Sequence, residues 1–168
     1  MSESESDNLA GHMSEVLQRT QDDESPEVAC LRSMMLEPEN PTLWNALAIV
    51  HMMNGDLESA QEAIEKSLEI DTSIGWTWRI WGDYFRMSGD KIEAERAYRM
   101  AHDLDPSNVK VMKELVVLYQ RRGALEEEML LLNKLVSIKP NDQRLWDQLG
   151  QCLRFLCAKW LRVPSHQE

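Results

Sequence analysis

The sequence predicts an all-α protein, a solenoid of stacked helix–turn–helix repeats. Three observations predict it. A period of 34 residues is shared by four separate columns. Apolar stripes of helical spacing lie inside each period, and glycine or proline sits at fixed places between them. The first column is Trp44, Trp78, Met112 and Trp146, and the second, three residues on, is Leu47, Trp81, Leu115 and Leu149. The third is Gly55, Gly89, Gly123 and Cys157, and the fourth is Pro38, Thr72, Pro106 and Pro140. Alternating apolar runs of the kind that make strands are absent.

Residues 1–27 hold eight acids and a single base, Arg19, so residues 1–8 are expected to be disordered. Residues 9–40 read as a divergent helix pair. A short helix is expected within 9–20, and a second over 25–37, where Ser25 is the N-cap and Pro26 opens the helix. Residues 41–74 form a first full repeat: a stripe through Leu43, Trp44, Leu47 and Val50, the helix-ending Gly55, then Leu57, Ala60, Ile64 and Leu68. Residues 75–108 and 109–142 repeat the plan, the latter with Met112, Val116 and Glu128 in the column places. Residues 143–162 read as a first helix without its second, serving as a cap. Residues 163–168 are expected to be a tail beyond the helix that Pro164 ends.

These columns resemble the tetratricopeptide repeat family. The resemblance rests on Trp at the fourth place and on Leu47-Ala48, Trp81-Gly82 and Leu149-Gly150 at the seventh and eighth. It rests also on Ala60 and Ala94 at the twentieth, Tyr98 at the twenty-fourth, Ala101 at the twenty-seventh and Pro106 at the thirty-second. It covers about three quarters of the chain and implies a right-handed superhelix whose first helices line a concave groove. Some members grip the carboxylate terminus of heat-shock chaperones with a Lys/Asn/Asn/Lys/Arg set. The matching places here are Asn45, Ile49, Ile80, Lys110 and Glu114, of which only Lys110 fits, so that mechanism is not expected.

Three tryptophans fall within residues 75–81. On a helix at 100° per residue, Trp78, Trp81, Gly82 and Phe85 share the packing side, and Trp76, Arg79, Asp83 and Arg86 lie opposite, on the side the resemblance assigns to the groove. Trp76 is either a partly exposed ring covering its neighbours or a binding anchor, Trp and Arg being enriched at binding hot spots. The expected groove comprises Asn45, Ile49 and Met52 from the first repeat; Trp76, Arg79, Asp83 and Arg86 from the second; Lys110, Lys113 and Val117 from the third; and Arg144 and Arg154 from the last helix. Bases outnumber acids six to two over the sixteen groove places, inside a chain of net charge −11. The expected occupant is a protein or peptide segment with acidic residues and an apolar anchor. The charges could equally be those of a solvated face, and the acidic N-terminal segment could itself fold back into the groove.

A net charge of −11 argues against general nucleic-acid binding, and no apolar run reaches the ~18–20 residues of a membrane span. The polar N-terminus and the three cysteines without framework spacing fit a cytoplasmic protein. No phosphate loop, nucleophile elbow or metal-ligand spacing is visible, so neither cofactor nor enzymatic activity is expected. The reading is a protein–protein interaction adaptor. The alternative is a self-assembling scaffold that forms homo-oligomers through the apolar end around Trp160, Leu161 and Val163.

Overall fold

The computed structural model describes residues 25–161, which form eight α-helices and no strand. They are α1 (Pro26–Leu36), α2 (Pro41–Asn54), α3 (Leu57–Ile70), α4 (Gly75–Ser88), α5 (Lys91–Leu104), α6 (Val109–Arg122), α7 (Leu125–Ile138) and α8 (Gln143–Leu161). The expected disorder at 1–8, the short helix within 9–20, the last residue of the cap and the tail at 163–168 lie outside the described residues.

Local signals start or stop most of the helices. Asn40, Asp56, Asp90 and Asn108 accept backbone N–H bonds at the starts of α2, α3, α5 and α6, satisfying donors that a helix end leaves free. Gly55, Gly89 and Gly123 stop α2, α4 and α6 at φ of 79°, 90° and 74°, a left-handed backbone that costs residues with a Cβ. The fourth member of that column is Cys157. There α8 does not turn, and it runs for 19 residues where α2 to α7 have 14 each.

The columns are tied together by hydrogen bonds as well as by packing. The indole Nε1 of Trp44 donates to the Pro38 carbonyl at 3.0 Å, that of Trp78 to Thr72 at 2.7 Å, and that of Trp146 to Pro140 at 2.8 Å. The tryptophan column thus satisfies the carbonyl column six residues earlier, at about 0.5–1.5 kcal/mol per bond. Met112, which cannot make this bond, is instead fully buried.

Two apolar cores form. One holds Leu31, Met34, Trp44, Leu47, Ala48, Met52, Ala60, Ala63, Ile64 and Ile80. The other runs from Ala94 and Tyr98 through Met112, Leu115, Leu132 and Leu135 to Leu149 and Leu156. Helix α4 is a wall between them. Ile80, Trp81 and Tyr84 serve the first core, and Trp78 and Phe85 pack on the second. The crowding of tryptophans in α4 follows from this: one helix has to fill two cores, so Trp78 and Trp81 are half-buried rather than fully enclosed. Trp81 stacks on Tyr84 at 4.9 Å and meets Phe85 at 4.5 Å.

Gly82 lets α4 and α5 close. A Cβ there would lie 2.5 Å from the ring of Tyr98, which is wholly buried. Across the α2–α4 seam, Asn45 Nδ2 donates to Thr77 Oγ1 at 2.8 Å, and Thr77 lies 3.2 Å from Ser67 Oγ. Ser67 gives its own proton to the Pro41 carbonyl at 3.1 Å, so Thr77 is the donor to Ser67. All three side chains are buried, and the chain of bonds has one direction.

Candidate concave binding face

The expected groove residues occupy four places on each first helix, and the structure treats those places differently. The second place is open throughout: Trp76 is 36% exposed, and Thr42, Lys110 and Arg144 are exposed too. In the first two repeats the fifth place is not floor but enclosed, whereas Lys113 and Asp147 in the later ones are exposed. Asn45 is completely buried against Thr77, and the Arg79 side chain is only 11% exposed. At the ninth place Ile49 and Asp83 are half-buried and Val117 is exposed. At the twelfth, Arg86 and Arg154 are exposed, whereas Met52 is buried in the first core. Asn45 and Met52 therefore do not line the groove. The helical angle placed them on the correct side, but the neighbouring helix covers that side in the first repeat.

Charge on this face is more balanced than the four places alone suggest. Asp83 is a hub: Arg79 pairs with it along α4, Tyr98 Oη donates to it at 2.7 Å from α5, and Lys110 Nζ lies 3.5 Å away on α6. Arg86 faces Glu114 at 3.8 Å, and Lys113 faces Asp142 at 3.7 Å. The turn before α8 thus supplies an acid, Asp142, that helix-face counting missed because it belongs to no helix. The six cations share the face with four carboxylates, Asp83, Glu114, Asp142 and Asp147, of which the first three are ion-paired. Among the described residues, Arg144 and Arg154 have no ion-pair partner. Burial, followed by its hydrogen bond to Asp83, pushes the Tyr98 hydroxyl far above the ordinary phenol range, so it stays a donor. Its hydrogen bond to Arg86 holds that guanidinium charged.

A hollow of about 630 Å³ opens between α6 and α8. Lys113, Val117, Arg144 and Gln148 line it, with Val116 and Leu145 beneath. Three of the expected groove residues meet there.

The described residues hold no group of His, Cys, Asp and Glu that could bind a metal ion, and no helix among them is long and apolar enough to cross a membrane. The Cys152 thiol donates to the Leu125 carbonyl at 3.3 Å; burial first, then Glu128, pushes it up to about 11. It is a packed thiol and stays protonated at neutral pH. Glu128 takes the place that Ala60 and Ala94 fill in the other repeats. It is buried, and Gln120 Nε2 donates to it at 2.8 Å.

The fold and this face define a helical-repeat solenoid with a concave side. Residues 41–73 match the tetratricopeptide repeat model. A TPR repeat-containing protein of Dictyostelium discoideum is 20% identical over 133 residues, 75% of this chain and 49% of that protein, so the chain spans about half the length of this relative. Among solved structures, MamA superposes with a TM-score of 0.64 at 21% identity, over 96% of this chain and 87% of MamA. YrrB, described as a TPR protein with an unusual peptide-binding site, superposes with a TM-score of 0.67 at 20% identity, over 74% of this chain and 64% of YrrB. At these identities the structural likeness is one of fold. The chain thus carries a match to this repeat over residues 41–73, within a fold it shares with these solved solenoids.

Proposed function

We propose that the chain is a protein-interaction adaptor that holds a partner segment on its concave face, centred on the hollow between α6 and α8. The observation that carries this reading is the convergence there of Lys113, Val117 and Arg144 around a space of about 630 Å³ with an apolar floor. A segment bearing an apolar side chain would seat it on Val116, Val117 and Leu145. Its carboxylates would meet Arg144 and Lys113. Trp76 and Arg86 extend the face toward the second repeat. The peptide-binding site named for YrrB supports the reading by likeness of fold.

The ion pairs already present do not oppose it. Lys113–Asp142 and Arg86–Glu114 are open to water, and exposed pairs are worth only about 0–1 kcal/mol, so a ligand carboxylate can exchange for them. Positive residues on a protein of net charge −11 act mainly through selectivity and encounter rate. The test is selection from a displayed random-peptide library on the full chain and on a Lys113→Glu/Arg144→Glu variant of unchanged thermal stability. Recovered peptides should combine Asp or Glu with an apolar residue and should lose the variant. Peptides without acid enrichment, or retained equally by both proteins, would sink the proposal.

A further inference from the structure

The last helix repeats the signature of a first helix, but among the described residues no second helix covers that signature. Trp146, Gly150 and Leu153 stand in the columns of Trp78, Gly82 and Phe85. In α4, a second helix lies over these places, and Tyr98 rests on Gly82. In α8, a Cβ on Gly150 would meet nothing within 4 Å. Trp146 is 47% exposed, Leu153 42%, Trp160 72% and Leu161 86%. With Gly150 and Cys157 they form one stripe of helical spacing, beside but distinct from the buried face of Leu145, Leu149, Cys152 and Leu156. The cause is local: with Cys157 in the glycine column, the helix continues straight instead of turning back on itself.

We propose that this stripe is a docking surface for an amphipathic helix supplied by a partner protein, seated where the second helix of a repeat would lie. The internal interface that it continues defines the partner's chemistry. On α5 the covering stripe is Ala94, Tyr98 and Ala101, all buried. The partner helix therefore presents a small residue, an aromatic four places on to fill the gap at Gly150, and a further small residue three places beyond. Arg154 stands in the column of Arg86, whose charged form the Tyr98 hydroxyl favours. It has no partner among the described residues, so a hydroxyl or carboxylate on the incoming helix completes the site. A second copy of α8 is a poor occupant, because it would bring its own Arg154 to the same arginine. Helices α3, α5 and α7 of a second copy already cover their own repeats.

The probe is a fluorescein-labelled peptide of residues 91–104, made helical by a lactam between Arg99→Lys and Asp103, both exposed in α5. Its anisotropy on the full chain should rise saturably. Gly150→Leu, which fills open space, should weaken binding by about tenfold or more without lowering the unfolding temperature. Tyr98→Ala in the peptide should do the same. The Lys113→Glu/Arg144→Glu variant should still bind, which separates this surface from the concave face. Absence of saturable binding, or equal affinity for the Gly150→Leu chain, would overturn the proposal. So would concentration-dependent self-association in sedimentation that Gly150→Leu abolishes, which would assign the stripe to a second copy.

Discussion

Helices α4 and α8 are written with the same signature and meet opposite surroundings. Both begin a unit with a tryptophan whose indole bonds a carbonyl six residues back, and both carry a glycine four residues after it. In α4 the glycine is a necessity of packing, and in α8 it faces open space. The same residue in the same column has different consequences because a column states what a residue can do, and its neighbours decide whether it is asked to.

The sharpest way to break this comparison is to put one methyl group on each glycine. Gly82→Ala forces a Cβ into the Tyr98 ring and should destabilise by about 1–3 kcal/mol or more, the usual range for overpacking. Gly150→Ala meets no such obstacle and gains helix propensity, so it should stabilise by about 1 kcal/mol. Urea unfolding followed by circular dichroism reads both, and two changes of the same sign would refute the contrast.

A second difference lies at the third place, where α4 has Thr77 and α8 has Leu145. Thr77→Val removes the middle of the buried bond chain and leaves Asn45 Nδ2 without an acceptor, a loss of about 1–3 kcal/mol. At Leu145 the seam is apolar, and Leu145→Met should change stability by under ~1.5 kcal/mol, as volume-conserving exchanges do. The same urea series checks the pair; a Thr77→Val chain as stable as wild type would mean that the bond chain contributes packing alone.

The smallest expected effect is that of pH. His102 on α5 has its Nδ1 buried without a hydrogen-bond partner. Burial first, then Lys134, lowers its pKa below the usual histidine value, against weaker opposing effects from Asp103 and Asp105. The unfolded chain therefore binds the proton more readily than the folded one. Stability should fall as pH drops below the unfolded value of about 6.5, and level off once the folded residue also titrates. His102→Gln should flatten that slope in thermal melts between pH 7 and pH 5; an unchanged slope would place its origin elsewhere.

The period and the helix limits were legible in the sequence because glycine, proline and capping side chains act within a turn of their own positions. Trp76 and Lys110, at the second place, lie on the open side that the helical angle gives them. The fifth place misled in the first repeat because its environment is set by a helix about thirty residues away: Asn45 meets Thr77. Met52 was misread for the same reason, and Asp142 because it lies in a turn. The contrast between Gly82 and Gly150 was present in the sequence as a last helix read without its second and as Cys157 standing in the glycine column.

The wall formed by α4 has a mechanical consequence. A chain of stacked repeats normally passes a disturbance from neighbour to neighbour. Here one helix shares its side chains between two cores, so anything that restrains α4 damps both halves at once. A ligand held by Trp76 and Arg86 would grip that helix directly. Its footprint in amide hydrogen exchange should then reach α3 on one side and α5 on the other, beyond the residues it touches.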